Sequence, residues 1–336
     1  MATALTREPS LTRKKIGLFI LDHVMEIFLI VMIIILTFTA HGFMTWDNWM
    51  NILRSNSLKG VIALGMTMVI IGFQIDLSIG STVALAGVIV ARFCRDLPPM
   101  GVDLNIACLL GMAAALGIGI LIGWMNGTFV HKAGMPSFII TLADKFALYG
   151  LAAILSGGYP IANVFPDWYN QIGAGRIGGQ HGIPIPAIIL IVAFLIVLFI
   201  MNNTTTGRAV YATGGNAESA RLSGINVGKT IVIALVAVQI CSVISGFMTS
   251  GQVMAGSYSF GSGWELDVIA AVIIGGASFN GGIGTVGGTL LGIIFVGVVV
   301  NGMTLLNFDI YTQYIVRAVI MTLAVMINSY RDKVKA

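Results

Sequence analysis

The chain has 336 residues, 57% of them hydrophobic and only 10% charged, with a mean hydropathy of +0.94 and a formal net charge of +4. Soluble domains carry about a quarter charged residues, so an ordinary soluble fold is excluded. The apolar blocks, about 16 to 27 residues long, match helices that cross a bilayer, and the short alternating strands of a membrane β-barrel are absent.

The expected fold is therefore an all-α polytopic membrane protein. Ten spans are placed at about 24–42, 58–74, 78–93, 104–130, 137–155, 185–201, 229–250, 265–278, 284–302 and 311–328. They make one transmembrane domain, 24–328, between a tail at 1–23 and a tail at 329–336. The basic lead Arg7, Arg13, Lys14 and Lys15 runs into an apolar block with no convincing cleavage site, so it reads as an uncleaved first span. With the N-terminus inside, eleven Lys and Arg fall on the cytoplasmic side and five outside (Arg54, Lys59, Arg92, Arg95 and Arg176), while Lys145 and Arg317 lie within spans. This bias puts both termini and the 202–228 loop in the cytoplasm. The segment 156–184, rich in Gly and Pro and carrying Tyr159, Trp168 and Tyr169, reads as an irregular extracytoplasmic loop with interfacial aromatics.

Two joints interrupt the apolar pattern. Gln74–Gly80 separates the second and third spans, and Ala277–Gly284 separates the eighth and ninth. Both follow a Val-Ile-Ile-Gly run, at Val69–Gly72 and at Val272–Gly275, which suggests a duplicated broken-helix pair. Polar and ionisable residues within spans are functional candidates. The pathway candidates are Gln74, Asp76, Ser78, Asn126, Thr141, Asp144 and Asn280. For Asp76 two roles stay open, contact with a polar substrate and capping of the third span. Asp144 and Lys145 are divided between pathway and interhelical bridge, and Glu265, Asp267 and Arg317 are expected to pair or reach polar surroundings. Gly119, Gly123 and Gly127, like Gly284, Gly288 and Gly292, recur at the spacing that lets membrane helices approach closely.

The longest polar run is Gly207–Lys229. Within it Asn216–Ser223 suits about two helical turns, with Gly214 and Gly215 loosening the approach, Asn216 as N-cap, Glu218 at the positive end of the dipole and Gly224 as the stop. Such an element on a membrane protein's surface is a docking site. Nucleotide binding by the run itself is excluded: Gly224–Thr230 has three residues between its glycines where a Walker loop needs four, and no strand precedes it. The two G-x-G-x-x-G matches, at Gly173–Gly178 and Gly282–Gly287, also lack a strand–helix setting. Cys94, Cys108 and Cys241 have no metal-ligand spacing, no metal site is expected, and no Ser/His/Asp set or carboxylate pair offers a home for catalysis. No cofactor of the chain's own is expected.

Several stretches together resemble the permease subunits of bacterial ABC importers of the ribose/galactose/xylose type, over about residues 40–330. They are Ile75–Gly80 (Ile-Asp-Leu-Ser-Ile-Gly), Met135–Leu142, Gly207-Arg208 with Tyr211–Asn216, Ala220–Val227 and Glu265–Ala271. Glu218-Ser219-Ala220 with Gly224 keeps the spacing of the loop such permeases present to their ATPase. The resemblance implies a type II importer fold of about ten spans in the bacterial cytoplasmic (inner) membrane. It further implies coupling to a separate ATPase through Gly214, Gly215, Asn216, Glu218, Ala220, Arg221 and Gly224, with ATP and Mg in that partner. An extracytoplasmic sugar-binding protein and a second copy or related permease complete the expected assembly, and the cargo would be a monosaccharide or similar small polyhydroxylated solute. The chain departs from the family pattern at Phe73-Gln74, where Gly-Gly is usual, and at Ala143-Asp144-Lys145, where a neutral stretch is usual. The competing expectation is a secondary transporter driven by an ion gradient, with Asp76 or Asp144 titrating.

Overall fold

The computed structural model describes residues 24–335, so the 1–23 tail with its basic lead lies outside the described residues. Among the described residues there are thirteen α-helices, one 3-10 turn at Pro98–Met100 and four two-residue strands. In chain order the helices are α1 Val24–Thr39, α2 Trp46–Ile71, α3 Ile79–Asp96, α4 Leu104–Lys132, α5 Ser137–Ser156, α6 Asp167–Ala174 and α7 Ile185–Asn203. They continue with α8 Thr205–Gly215, α9 Ala217–Leu222, α10 Val227–Val253, α11 Trp264–Ile274, α12 Val286–Leu305 and α13 Ile310–Lys335. Among the described residues, five helices are long and apolar enough by composition to cross a membrane: α4, α5, α7, α10 and α12. Other segments read as spans are shorter or carry more charge.

The core is built around α10, α2 and α3. A helix that is apolar all round has no face to give to water and is buried by its neighbours. α10 is such a helix, and it packs against α2, α3 and α4. From Ser57 to Ile71 nearly every residue of α2 is buried. Its first three turns, by contrast, carry Asp47, Asn48, Asn51, Arg54 and Asn56. That polarity keeps the apolar signal from starting before residue 58, yet the helix begins at Trp46 because Thr45 caps it, Oγ1 accepting from Asn48 N. Asn48 then pairs with Asn301 of α12 at 3.0 and 2.8 Å.

The glycine stripe of α4 lies against α10. A Cβ on Gly119 would stand 2.5 Å from Val243 Cγ2, on Gly123 2.6 Å from Val236 Cα, and on Gly127 2.6 Å from Val232 Cα. Gly288 and Gly292 bring α12 equally close to α11, whereas Gly284 precedes the helix at a positive φ of 155° that favours glycine.

The 156–184 segment is ordered and packed. It contains α6, whose Tyr169 is fully buried, stacked on Phe165 at 4.7 Å and hydrogen-bonded to Ser250 Oγ at 2.9 Å. A buried, satisfied hydroxyl makes Tyr169 a core residue; Tyr159 and Trp168 remain exposed. Strands β1 (Ile161–Ala162) and β4 (Ala255–Gly256) pair antiparallel, as do β2 (Arg176–Ile177) and β3 (Ile183–Pro184), and fasten this segment to the end of α10 and to itself.

Candidate functional site

The two joints share a backbone design. At the end of α2, Gln74 N–H donates to Val69 O and Phe73 N–H to Ile70 O, both at 2.9 Å. At the end of α11, Ala277 N–H donates to Val272 O at 3.2 Å and Gly276 N–H to Ile273 O at 2.9 Å. Each is a Schellman closure that needs one left-handed residue. Phe73 supplies it at φ 60° and Gly276 at φ 94°. The repeated Val-Ile-Ile-Gly runs thus end in the same turn.

Beyond the first turn the chain runs without regular secondary structure from Gln74 to Ser78. At membrane depth its free N–H groups need protein partners, and α5 provides them. Ser137 Oγ accepts from Ile75 N and Thr141 Oγ1 from Leu77 N, each at 3.0 Å. Asp76 and Ser78 turn inward and are fully buried. Asp76 Oδ1 accepts from Ser78 N at 2.8 Å and Ser78 Oγ at 2.6 Å. Gln239, near the middle of α10, donates through Nε2 to Asp76 Oδ2 and Ser78 Oγ at 2.8 Å, and its Oε1 accepts from Thr82 at 2.6 Å. The network is closed on itself.

The pathway candidates therefore do not form one site. Asp76, Ser78 and Thr141 are buried in the first joint, and Asn126 is buried on α4, its Nδ2 without a hydrogen bond of good geometry among the described residues. Asp144 stands beside Asn126 on α5. Gln74 lines an open cleft of about 380 Å³ together with Phe73, Met135, Ser137 and Phe279, while Asn280 is exposed in the second joint.

Glu265, Asp267 and Arg317, expected to pair or reach polar surroundings, do pair, and Lys145 forms an interhelical bridge. The first turn of α11 bears Glu265 and Asp267, which point to different neighbours. Glu265 pairs with Lys145 of α5. Asp267 Oδ2 pairs with Lys59 of α2 at 2.5 Å and Arg317 of α13 at 3.3 Å, and Lys59 also lies 5.4 Å from the Trp264 ring. Lys59 is thus held within the helix bundle. Charge spacing in the sequence cannot reveal these pairs because their members lie fifty or more residues apart, on helices whose rotation is set by packing.

The polar run at 202–228 is mostly helical. α8 occupies Thr205–Gly215, so Gly214 and Gly215 end a helix instead of loosening the approach to the next one. Gly214 is packed: its Cβ would stand 1.7 Å from Ile71 O and 2.7 Å from Gly282 N. Gly282 N–H in turn donates to Ile71 O at 2.8 Å, and Tyr211 Oη of α8 donates to Gly284 O at 2.9 Å. Burial pushes the Tyr211 hydroxyl above its usual pKa. α8 therefore touches both joints.

α9 follows at once. Asn216 Oδ1 accepts from Ser219 N at 2.8 Å, Ala220 alone of the helix is buried, and Gly224 closes the turn at φ 83°. Glu218 and Arg221 form an exposed pair at 2.7 Å. The helix is capped at both ends and presents Glu218, Arg221 and Leu222 outward.

Long apolar helices packed around two helix breaks define a polytopic α-helical membrane protein. Residues 48–325 match the family described as branched-chain amino acid transport system / permease component, and the chain belongs to that family. It is similar to the ribose import permease protein RbsC of Escherichia coli, 36% identical over 304 residues covering 90% of this chain and 92% of the relative. Similarity to the ribose import permease protein RbsC of Haemophilus influenzae is 35% over 316 residues, covering 94% and 95%. The xylose transport system permease protein XylH of Escherichia coli is 31% identical over 359 residues, covering 90% of each chain. No solved structure shows a significant match.

Proposed function

We propose that this chain is the membrane-spanning subunit of an ATP-driven importer of a monosaccharide or similar small polyhydroxylated solute, in the bacterial cytoplasmic membrane. The observation that carries the reading is the linkage of α9, through Gly214 and Tyr211 of α8, to Ile71 and Gly284 at the two helix breaks. α9 receives a separate ATPase subunit, which holds ATP and Mg, and α8 carries its motion to both joints. The bundle then rearranges as packed bodies to alternate access. The sugar relatives favour a sugar over the amino acids named in the family description. An extracytoplasmic binding protein delivers the cargo, and a second permease copy or a related permease completes the pore. The chain crosses the membrane about ten times with both ends in the cytoplasm.

Support for ATP over an ion gradient comes from Asp76, whose burial and three donors leave it no open route to exchange a proton. The test is co-purification of a soluble ATPase with the wild-type chain and its loss in Glu218→Lys, with membrane insertion unchanged. Uptake that survives ATP depletion at a held membrane potential would sink the reading.

A further inference from the structure

The segment that returns from α10 to α11 carries a second polar centre. Gly256 packs against Gly87 and Ala91 of α3, and Gly261 against Gly80, so residues 256–261 descend along α3 to its first turn. That turn follows Asp76, which meets Gln239 halfway along α10. The segment is non-helical at membrane depth, yet Ser262 and Gly263 are exposed. Exposed irregular backbone at this depth is tolerated where it lines a water-filled cavity or is covered by protein, not where it meets lipid.

Three side chains gather at the foot of this segment. Lys145, eight residues into α5, pairs with Glu265 Oε1 and keeps 23% of its side chain exposed. Glu265 is 5% exposed, and its second oxygen, Oε2, is buried with no hydrogen-bond partner among the described residues. Tyr149, one helical turn beyond Lys145, places its hydroxyl beside Gly80 and facing Ser262, buried and without a hydrogen bond of good geometry among the described residues. A carboxylate oxygen and a phenol left unpaired in a bundle are costly unless something else visits them. A lysine held at mid-span is likewise costly against lipid.

We infer that Lys145, Tyr149 and Glu265 are specificity-determining residues that bind adjacent hydroxyls of the cargo as it passes the foot of the 256–263 segment. This rests on the importer reading above. One sugar hydroxyl donates to Glu265 Oε2, and its neighbour accepts from the Lys145 ammonium or the Tyr149 hydroxyl. The pair forms a matched acceptor and donor for a vicinal diol. In the conformation described Glu265 Oε2 and Tyr149 Oη are occluded, and Lys145 is the member still reachable.

The test is transport by the complete importer in proteoliposomes with its binding protein saturated by the carried sugar or by each singly deoxygenated analogue. Wild type is expected to carry at least one deoxy analogue about tenfold more slowly, the rate equivalent of one lost hydrogen bond to a charged group. Glu265→Gln and Lys145→Met should slow the parent sugar by a similar factor and leave that analogue unaffected. Because Lys145→Met strands a buried carboxylate, the double variant Lys145→Met with Glu265→Gln keeps the comparison valid if the single variant does not fold. Equal slowing of the parent and every analogue, or no slowing of any, overturns the inference. A wild type that moves no monosaccharide overturns the importer reading, and this one with it.

Discussion

The Cα of Gly214 lies against the carbonyl of Ile71, so close that a Cβ there would stand 1.7 Å from the oxygen. Its neighbour Gly215 has nothing within 4 Å of the same position. Gly214→Ala must therefore push α8 off the end of α2, whereas Gly215→Ala meets open space in the last helical turn. We expect Gly214→Ala to cut uptake at least tenfold and to cost about 1–3 kcal/mol of stability. Gly215→Ala should leave the apparent Tm unchanged or slightly raised. Thermal unfolding in detergent and uptake in vesicles check both, and equal behaviour of the two variants would refute the junction.

Phe73 holds a left-handed conformation at φ 60° in the turn where its counterpart Gly276 holds φ 94°. Such a conformation costs a non-glycine residue about 1 kcal/mol. Phe73→Gly removes that strain but adds a similar entropy to the unfolded chain, so its stability should stay near wild type. Phe73→Val, with a branched Cβ, should lose about 1–2 kcal/mol. A Val variant as stable as the Gly variant would show that the turn is not held as described.

Gln239 connects Asp76, Ser78 and Thr82 where no water reaches. Gln239→Leu leaves a buried carboxylate short of a donor, at a cost of about 2–3 kcal/mol. Adding Asp76→Asn removes the stranded charge, and the double variant should regain part of the loss. The apparent Tm of the two single variants and the double variant measures the coupling; strict additivity would mean the residues act independently.

Asp267 balances two cations, Lys59 and Arg317. Removing the carboxylate strands both, while removing one cation leaves a matched pair. Asp267→Asn is therefore expected to cost about 3 kcal/mol and Lys59→Met much less. The reverse order in detergent stability would show that Lys59 has the stronger claim on the site.

Asp309 outside the bundle caps α13, its carboxylate accepting from Tyr311 N, Thr312 N and Thr312 Oγ1. The Thr312 contacts hold its pKa below the ordinary carboxylate value. A depressed folded pKa gives stability that is present above the unfolded value of about 3.9 and is lost as pH falls through the folded one. The acid limb of the unfolding profile should therefore lose a small component in Asp309→Asn, and an unchanged limb would remove the cap from the account.

Much of the framework was legible from residue order. The helix breaks follow from polar joints between apolar blocks, and the cap and stop of α9 follow from Asn216 and Gly224, because short-range hydrogen bonds decide them. α8 was less legible: Gly207, Gly214 and Gly215 weaken its helical signal, and tertiary packing overrides propensity where a glycine lets α8 touch Ile71. The site was harder still. Asp76 was singled out by being charged in an oily chain, but its partner Gln239 lies on a distant helix.

By itself, the sequence determined the class of molecule, the existence of two similar breaks and the capped surface helix, since hydropathy and local backbone chemistry act over a few residues. Only the tertiary structure decided that Gly214 meets Ile71 and Gly282, that Asp76 is sealed by Gln239, and that Glu265 and Asp267 gather three cations from three helices. Those relationships depend on how each helix is rotated about its axis. That rotation is fixed by the packing of the whole bundle, not by any one of its segments.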